Sequence, residues 1–389
     1  AIEKLLEDFY GEYRDRISDS RGISKERFDN LIDKGIIYGD SVMTSGLVDG
    51  LLYLNEFDSL LESQTESGDF EKNSITLRQY AHNLDNELTF SREKIALIIA
   101  EGMILPGKGK ESPFGSSKGI YSTTLSETID ELADDDDIAA IVLRIDSGGG
   151  SSLASDIIWN SVKRAKSKKP FVVSMASAAA SGGYYIAMAA DTIFADNMTF
   201  TGSIGVYGGK PFIDGLMDKT GITSQSIKYG EYAEMFTLQR KWNEKERALM
   251  MGNIDHIYEI FITKAAEGRT KDVAYMDSVA QGRIWSGKSA AEIGLVDRIG
   301  GIWDAVRCAQ KMAKISLNEN PVVSVYPKEK GFFAMISEMD QGLMTALLTK
   351  NLPIFSKYIE GGYEMEMLSV LSREPLAVCP VVITGDVIE

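Results

Sequence analysis

Between Lys94 and Ala195 the sequence alternates short apolar runs with helical patterns, and this restricts the fold more than any other feature of the chain. "KIALIIAEGMI", "IAAIVLRIDS", "FVVSMA" and "TIFA" have strand length and are apolar throughout, as parallel strands covered on both faces must be. Between them lie "TTLSETIDELADDDD", whose Thr and Ser can cap its first amides, a helix from Leu153 to about Lys166, and a small-residue helix after Ser181. Such alternation implies an α/β fold, a parallel sheet with flanking helices and right-handed crossovers, in which ligands collect at the carboxyl ends of the strands. Two of those ends carry unusual residues, "DSGGGSS" and "AAASGGYY".

A second feature is an internal repeat. "GIIYGDSVMTSGLVDGL" and "GRIWSGKSAAEIGLVDRI" share G, I, an aromatic, G or S, and then GLVD with a one-residue gap. Gly35 pairs with Gly282 (282 − 35 = 247) and Asp49 with Asp297 (297 − 49 = 248). The segments before them also match in kind, each an amphipathic helix ending in a basic turn. The chain therefore reads as the tail of one repeat over 1–62, a polar linker over 63–92, a complete repeat over 93–316 and an extension over 317–389. By the same offset, roughly 150 residues of the first copy are expected upstream of Ala1.

Composition removes several classes. With 389 residues, 44% of them hydrophobic, the chain can bury a large core. Its net charge of −16 supplies no basic face for phosphates, so no nucleic-acid partner is expected. No apolar run approaches the roughly 20 residues that cross a bilayer. Two cysteines, Cys308 and Cys379, make neither a disulfide framework nor a zinc site, and no cofactor is expected. In the extension, "GFFAMISEMDQGLMTALLTKNLPIF" has helical spacing that suits a packing face, and "PLAVCPVVITG" suits a terminal strand.

At the two strand ends, Gly148, Gly149 and Gly150 leave backbone amides uncovered, which suits an oxyanion hole or a tight turn. No Lys-Ser or Lys-Thr follows them as a phosphate loop requires. Ser181 precedes Gly182 and Gly183 at the start of a helix, where amides converge on a nucleophile's oxygen. A serine cap would account for the hydroxyl but not for the glycines. Of the two histidines, His82 falls in the linker and His256 in a helix, so a lysine is the remaining kind of base, and burial lowers a lysine pKa toward neutrality. Ser203, in "FTGSIGVYGG", is the polar neighbour available to hold it.

"IALIIAEGMI", "IVLRIDSGGG", "AAASGGYYIAMAAD", "FTGSIGV" and "GRIWSGKSAAEIGLVD" follow one another as in the signal peptide peptidase A family, which this chain resembles from about Lys94 to Ala313. The resemblance implies a crotonase/Clp-protease-like repeat and a Ser-Lys serine peptidase that degrades signal peptides and other extended apolar peptides. It implies Ser181 as nucleophile, Ser203 as the residue orienting the lysine, and an oxyanion hole bounded by Gly149, Gly150 and Gly182. It further implies a ring- or bowl-shaped homo-oligomer at the periplasmic face of a bacterial inner membrane. The family's loop usually has Pro where Gly148 stands. Short members place the lysine twelve residues beyond the serine of "TGS", which here is Gly215; long, two-repeat members take it from the first repeat. The repeat places this chain with the long type, with Lys210 as a fallback base. A crotonase-type acyl-CoA enzyme and a catalytically silent scaffold of the same fold are the alternatives.

Overall fold

A computed structural model describes residues 2–35, 37–65, 74–77, 79–80, 90–109, 119–327 and 376–378. His82, Cys379, most of the linker and the helical pattern of 331–355 lie outside the described residues. The chain divides into two compact units, one of residues 6–91 with 318–320, the other of 92–317 with 1–5 and 321–389.

The smaller unit is helical: α1 (Ile2–Arg21), α2 (Lys25–Asp33), α3 (Asp40–Ser45) and α4 (Leu54–Ser63). Ser24 caps α2 by accepting from the Arg27 amide, and α2 buries Phe28 and Leu31. Tyr13 meets Phe28 edge to face at 5.7 Å.

The larger unit is built on an eight-stranded, mostly parallel sheet. Its strands are β1 (Phe90–Glu101), β4 (Ile138–Ser147), β6 (Phe171–Ala180), β7 (Thr192–Ala195), β8 (Phe200–Gly202), β9 (Ile284–Ser286), β10 (Arg298–Ile299) and β11 (Asn320–Tyr326). The order β10-β7-β6-β4-β1-β11 forms its spine, with β8 on the far half of β6 and β9 on β8. A smaller sheet runs β12-β5-β2-β3, from Leu376–Val378, Gly149–Ser151, Ile104–Leu105 and Ile120–Tyr121. The "AV" of the terminal apolar run is thus in β12, antiparallel to β5.

Both faces of the main sheet are covered, which is why its central strands are apolar throughout. On one side Ile141, Leu143 and Val173 pack with residues of α5 (Ser122–Asp134), α6 (Ser152–Lys166), α7 (Gly182–Ala187) and α9 (Glu244–Arg269). On the other, Ile95, Val142 and Val172 meet Ala305, Val306 and Ala309 of α12 (Ile302–Met312). Each large side chain fully buried this way contributes about 1.5–3 kcal/mol. The remaining helices are α8 (Asp214–Thr220), α10 (Val273–Val279) and α11 (Gly287–Glu292).

One sequence expectation fails here. No side chain caps α5, whose N-cap is Tyr121. The nearby hydroxyls instead accept from loop amides, Ser122 from Gly107 and Thr124 from Gly109, both at 3.1 Å.

Candidate active site

Ser181 follows the last residue of β6 and precedes the first of α7. Its φ of 53° and ψ of −114° lie where a side chain is strained. A serine forced through a sharp strand-to-helix turn is the arrangement that presents a nucleophile at a sheet end. The hydroxyl makes no capping bond; it lies 3.4 Å from the Gly205 carbonyl. Simple capping therefore does not explain this serine.

Three contacts fix the turn. The Ser181 amide donates to the Gly202 carbonyl at 2.8 Å. The Tyr184 hydroxyl donates to the Leu295 carbonyl at 3.0 Å, and that of Tyr185 to Asp156 at 2.7 Å. The double tyrosine of "SGGYY" thus anchors α7. Gly183 is dictated by proximity, since a Cβ there would sit 2.6 Å from the Ser147 carbonyl oxygen.

The β6–β8 register brings the second serine to the first. Ala180 pairs in parallel with Gly202, so the next residue on each strand, Ser181 and Ser203, leaves the sheet side by side. Ser203 also has a positive φ, 46°, and its amide donates to the Arg283 carbonyl at 2.7 Å. Both serines are buried. No hydrogen bond of the Ser203 hydroxyl is found among the described residues.

The glycine-rich end is more ordered than a loop. Gly149 and Gly150 belong to β5, held between β2 and β12, and a Cβ on Gly150 would fall 2.0 Å from the Ile104 oxygen. The Gly149 amide donates to Ser147 Oγ at 3.1 Å. Gly182 opens α7, and Gly148 is exposed.

Neither lysine position reaches the serines by any bond. Gly215 is exposed in α8, with open space around a Cβ built on it. Lys210 is half-buried rather than exposed, and its Nζ donates to the Thr237 carbonyl at 2.8 Å. Burial, then the neighbouring Arg240, hold its pKa below that of an ordinary lysine. His256 is exposed on α9. Among the described residues no group of three or more His, Cys, Asp or Glu could hold a metal ion, and no helix is long and apolar enough to cross a membrane.

The model of peptidase family S49 matches residues 163–316, a span containing Ser181 and Ser203. The chain is 36% identical to chloroplastic serine protease SPPA of Arabidopsis thaliana, over 82% of this chain and 47% of that protein. It thus spans about half that relative's length. It is 30% identical to the putative signal peptide peptidase SppA of Enterococcus faecium, over 70% of this chain and 80% of the other. A mutant ClpP1 from Listeria monocytogenes aligns at a TM-score of 0.36 with 16% identity, over 54% of this chain and 94% of its own. With the Enterococcus relative matched over four-fifths of its length and the family model spanning both serines, this chain belongs to peptidase family S49.

Proposed function

We propose that the protein is a serine endopeptidase that degrades signal peptides and other extended apolar peptides at a membrane, with Ser181 as its nucleophile. The observation that carries this is the strained Ser181 at the end of β6 with Ser203 beside it in register. In this reading Ser181 Oγ attacks the scissile carbonyl carbon while its proton passes to a neutral lysine Nζ. The carbon–nitrogen bond then breaks, the departing amine takes that proton, and water hydrolyses the acyl-serine ester. Ser203 holds the lysine. The Gly182 amide, with Gly149 and Gly150, faces the oxyanion, and one such donor is worth about 3 kcal/mol. The Gly149 amide must first leave Ser147 Oγ.

The base comes from a first repeat, since Gly215 has no amine and Lys210 is engaged at Thr237. A bowl-shaped homo-oligomer at the extracytoplasmic face belongs to the same reading. A catalytically silent subunit is the competing reading, favoured by the lack of any lysine bonded to Ser181 among the described residues.

An active-site serine probe separates these readings. The isolated 389-residue chain should neither label nor cleave, because an unassisted serine hydroxyl is a poor nucleophile at neutral pH. The product of the intact gene should label at Ser181 and lose labelling in Ser181→Ala. Labelling of the isolated chain would make an internal lysine, Lys210 foremost, the base. A silent intact product would establish the scaffold reading instead.

A further inference from the structure

The internal repeat extends to individual hydrogen bonds. Arg21 Nε donates to the Gly46 carbonyl at 2.9 Å and its terminal nitrogens grip Asp49 at 2.8 and 3.0 Å. Arg269 Nε donates to the Gly294 carbonyl at 3.3 Å and its terminal nitrogen grips Asp297. All three pairs share one offset (269 − 21 = 248). At that offset Ser24 and Asp272 both cap the following helix, and the Tyr53 and Gly301 amides both donate at 2.8 Å to a carboxylate three residues on. Two copies of one closing unit are therefore built alike.

Their surroundings differ. In the second copy β9 pairs antiparallel with β8, β10 pairs parallel with β7, and α12 packs on β4, β6 and β7. The counterparts in the first copy are Ile37–Gly39, Gly50–Leu51 and α4. Among the described residues, no partner is found for the backbone amides of Ile37, Tyr38, Gly50 or Leu51. Tyr38 is 77% exposed, and α4 leaves Leu54, Phe57 and Leu60 exposed at the helical spacing with which Ile302, Ala305 and Cys308 meet the sheet. A face apolar at the positions its twin buries is a docking surface without its sheet.

We infer that residues 37–63 bind the edge of another S49-type parallel sheet, one strand adding antiparallel to Ile37–Gly39, a second parallel to Gly50–Leu51, with α4 across them. A second copy of this chain does not fit, because its β8 and β7 are already occupied by its own β9 and β10. The occupant is a sheet without a closing unit of its own, carried on the same polypeptide in the intact gene product. A relative of about twice this chain's length has room for one. The inference rests on the repeat and family, and needs no catalytic role for Ser181.

Hydrogen exchange on the isolated chain and on the intact gene product tests it. In the isolated chain the amides of residues 37–39 and 50–52 should exchange freely. In the intact product they should slow by on the order of 100-fold or more, and Tyr38→Asp with Phe57→Asp should undo the protection. Equal exchange in the two samples, or protection that survives the double variant, overturns the inference. Protection without serine labelling would instead sink the peptidase reading and leave the docking face standing.

Discussion

Ser181 occupies a conformation that glycine accepts and serine does not, with no capping bond gained in return. Such strain costs about 1–3 kcal/mol, while glycine's extra unfolded-state freedom costs roughly 0.5–1 kcal/mol. Ser181→Gly should therefore stabilise the chain by about 1 kcal/mol in urea unfolding, and the intact product carrying it should not cleave. A destabilised glycine variant would show that the serine is there for structure. Ser203 differs in what its hydroxyl does. With no bond for that hydroxyl among the described residues, Ser203→Ala should leave the melting temperature nearly unchanged. In the intact product it should lower turnover by roughly 10- to 1,000-fold, since a positioning bond acts on the transition state. Joint loss of stability and activity would mark Ser203 as a turn residue only.

Elements covered on both faces announced themselves. β4 and β6 are legible because each faces two cores, and the apolar run records both. β8 was not, because Phe200–Gly202 is three residues long and its identity lies in pairing with Ala178–Ala180 and Ile284–Ser286. Both serines could thus be picked from their glycine neighbours, but their adjacency could not, since register depends on a partner strand far along the chain. The same holds for β5: three glycines read as a loop, and only β2 and β12 make a strand of two of them. The hydroxyls at the start of α5 misled for a related reason. Capping chemistry was present, but the loop amides of Gly107 and Gly109 claimed it. Lys210 read as an exposed loop residue because nothing local signals the Thr237 carbonyl.

At the scale of the whole molecule, the repeat places one hydrogen-bonded clamp in two environments. The Arg269 side chain is only 6% exposed, whereas Arg21 pairs with an Asp49 side chain that is 90% exposed. Removing one partner of a buried pair leaves an unmatched charge and costs about 3–5 kcal/mol, but an exposed pair is worth about 0–1 kcal/mol. In the isolated chain, Arg269→Ala should therefore strongly lower the stability of the larger unit, and Arg21→Ala should barely alter that of the smaller one. Hydrogen exchange resolved by unit measures both, because amides in each report its own opening. Identical losses would mean that the clamp's contribution is local and indifferent to its surroundings. If a sheet covers residues 37–63 in the intact product, Asp49 loses water there as Asp297 does here. The cost of Arg21→Ala should then rise toward that of Arg269→Ala, and an unchanged small cost in that product would count against the covered face.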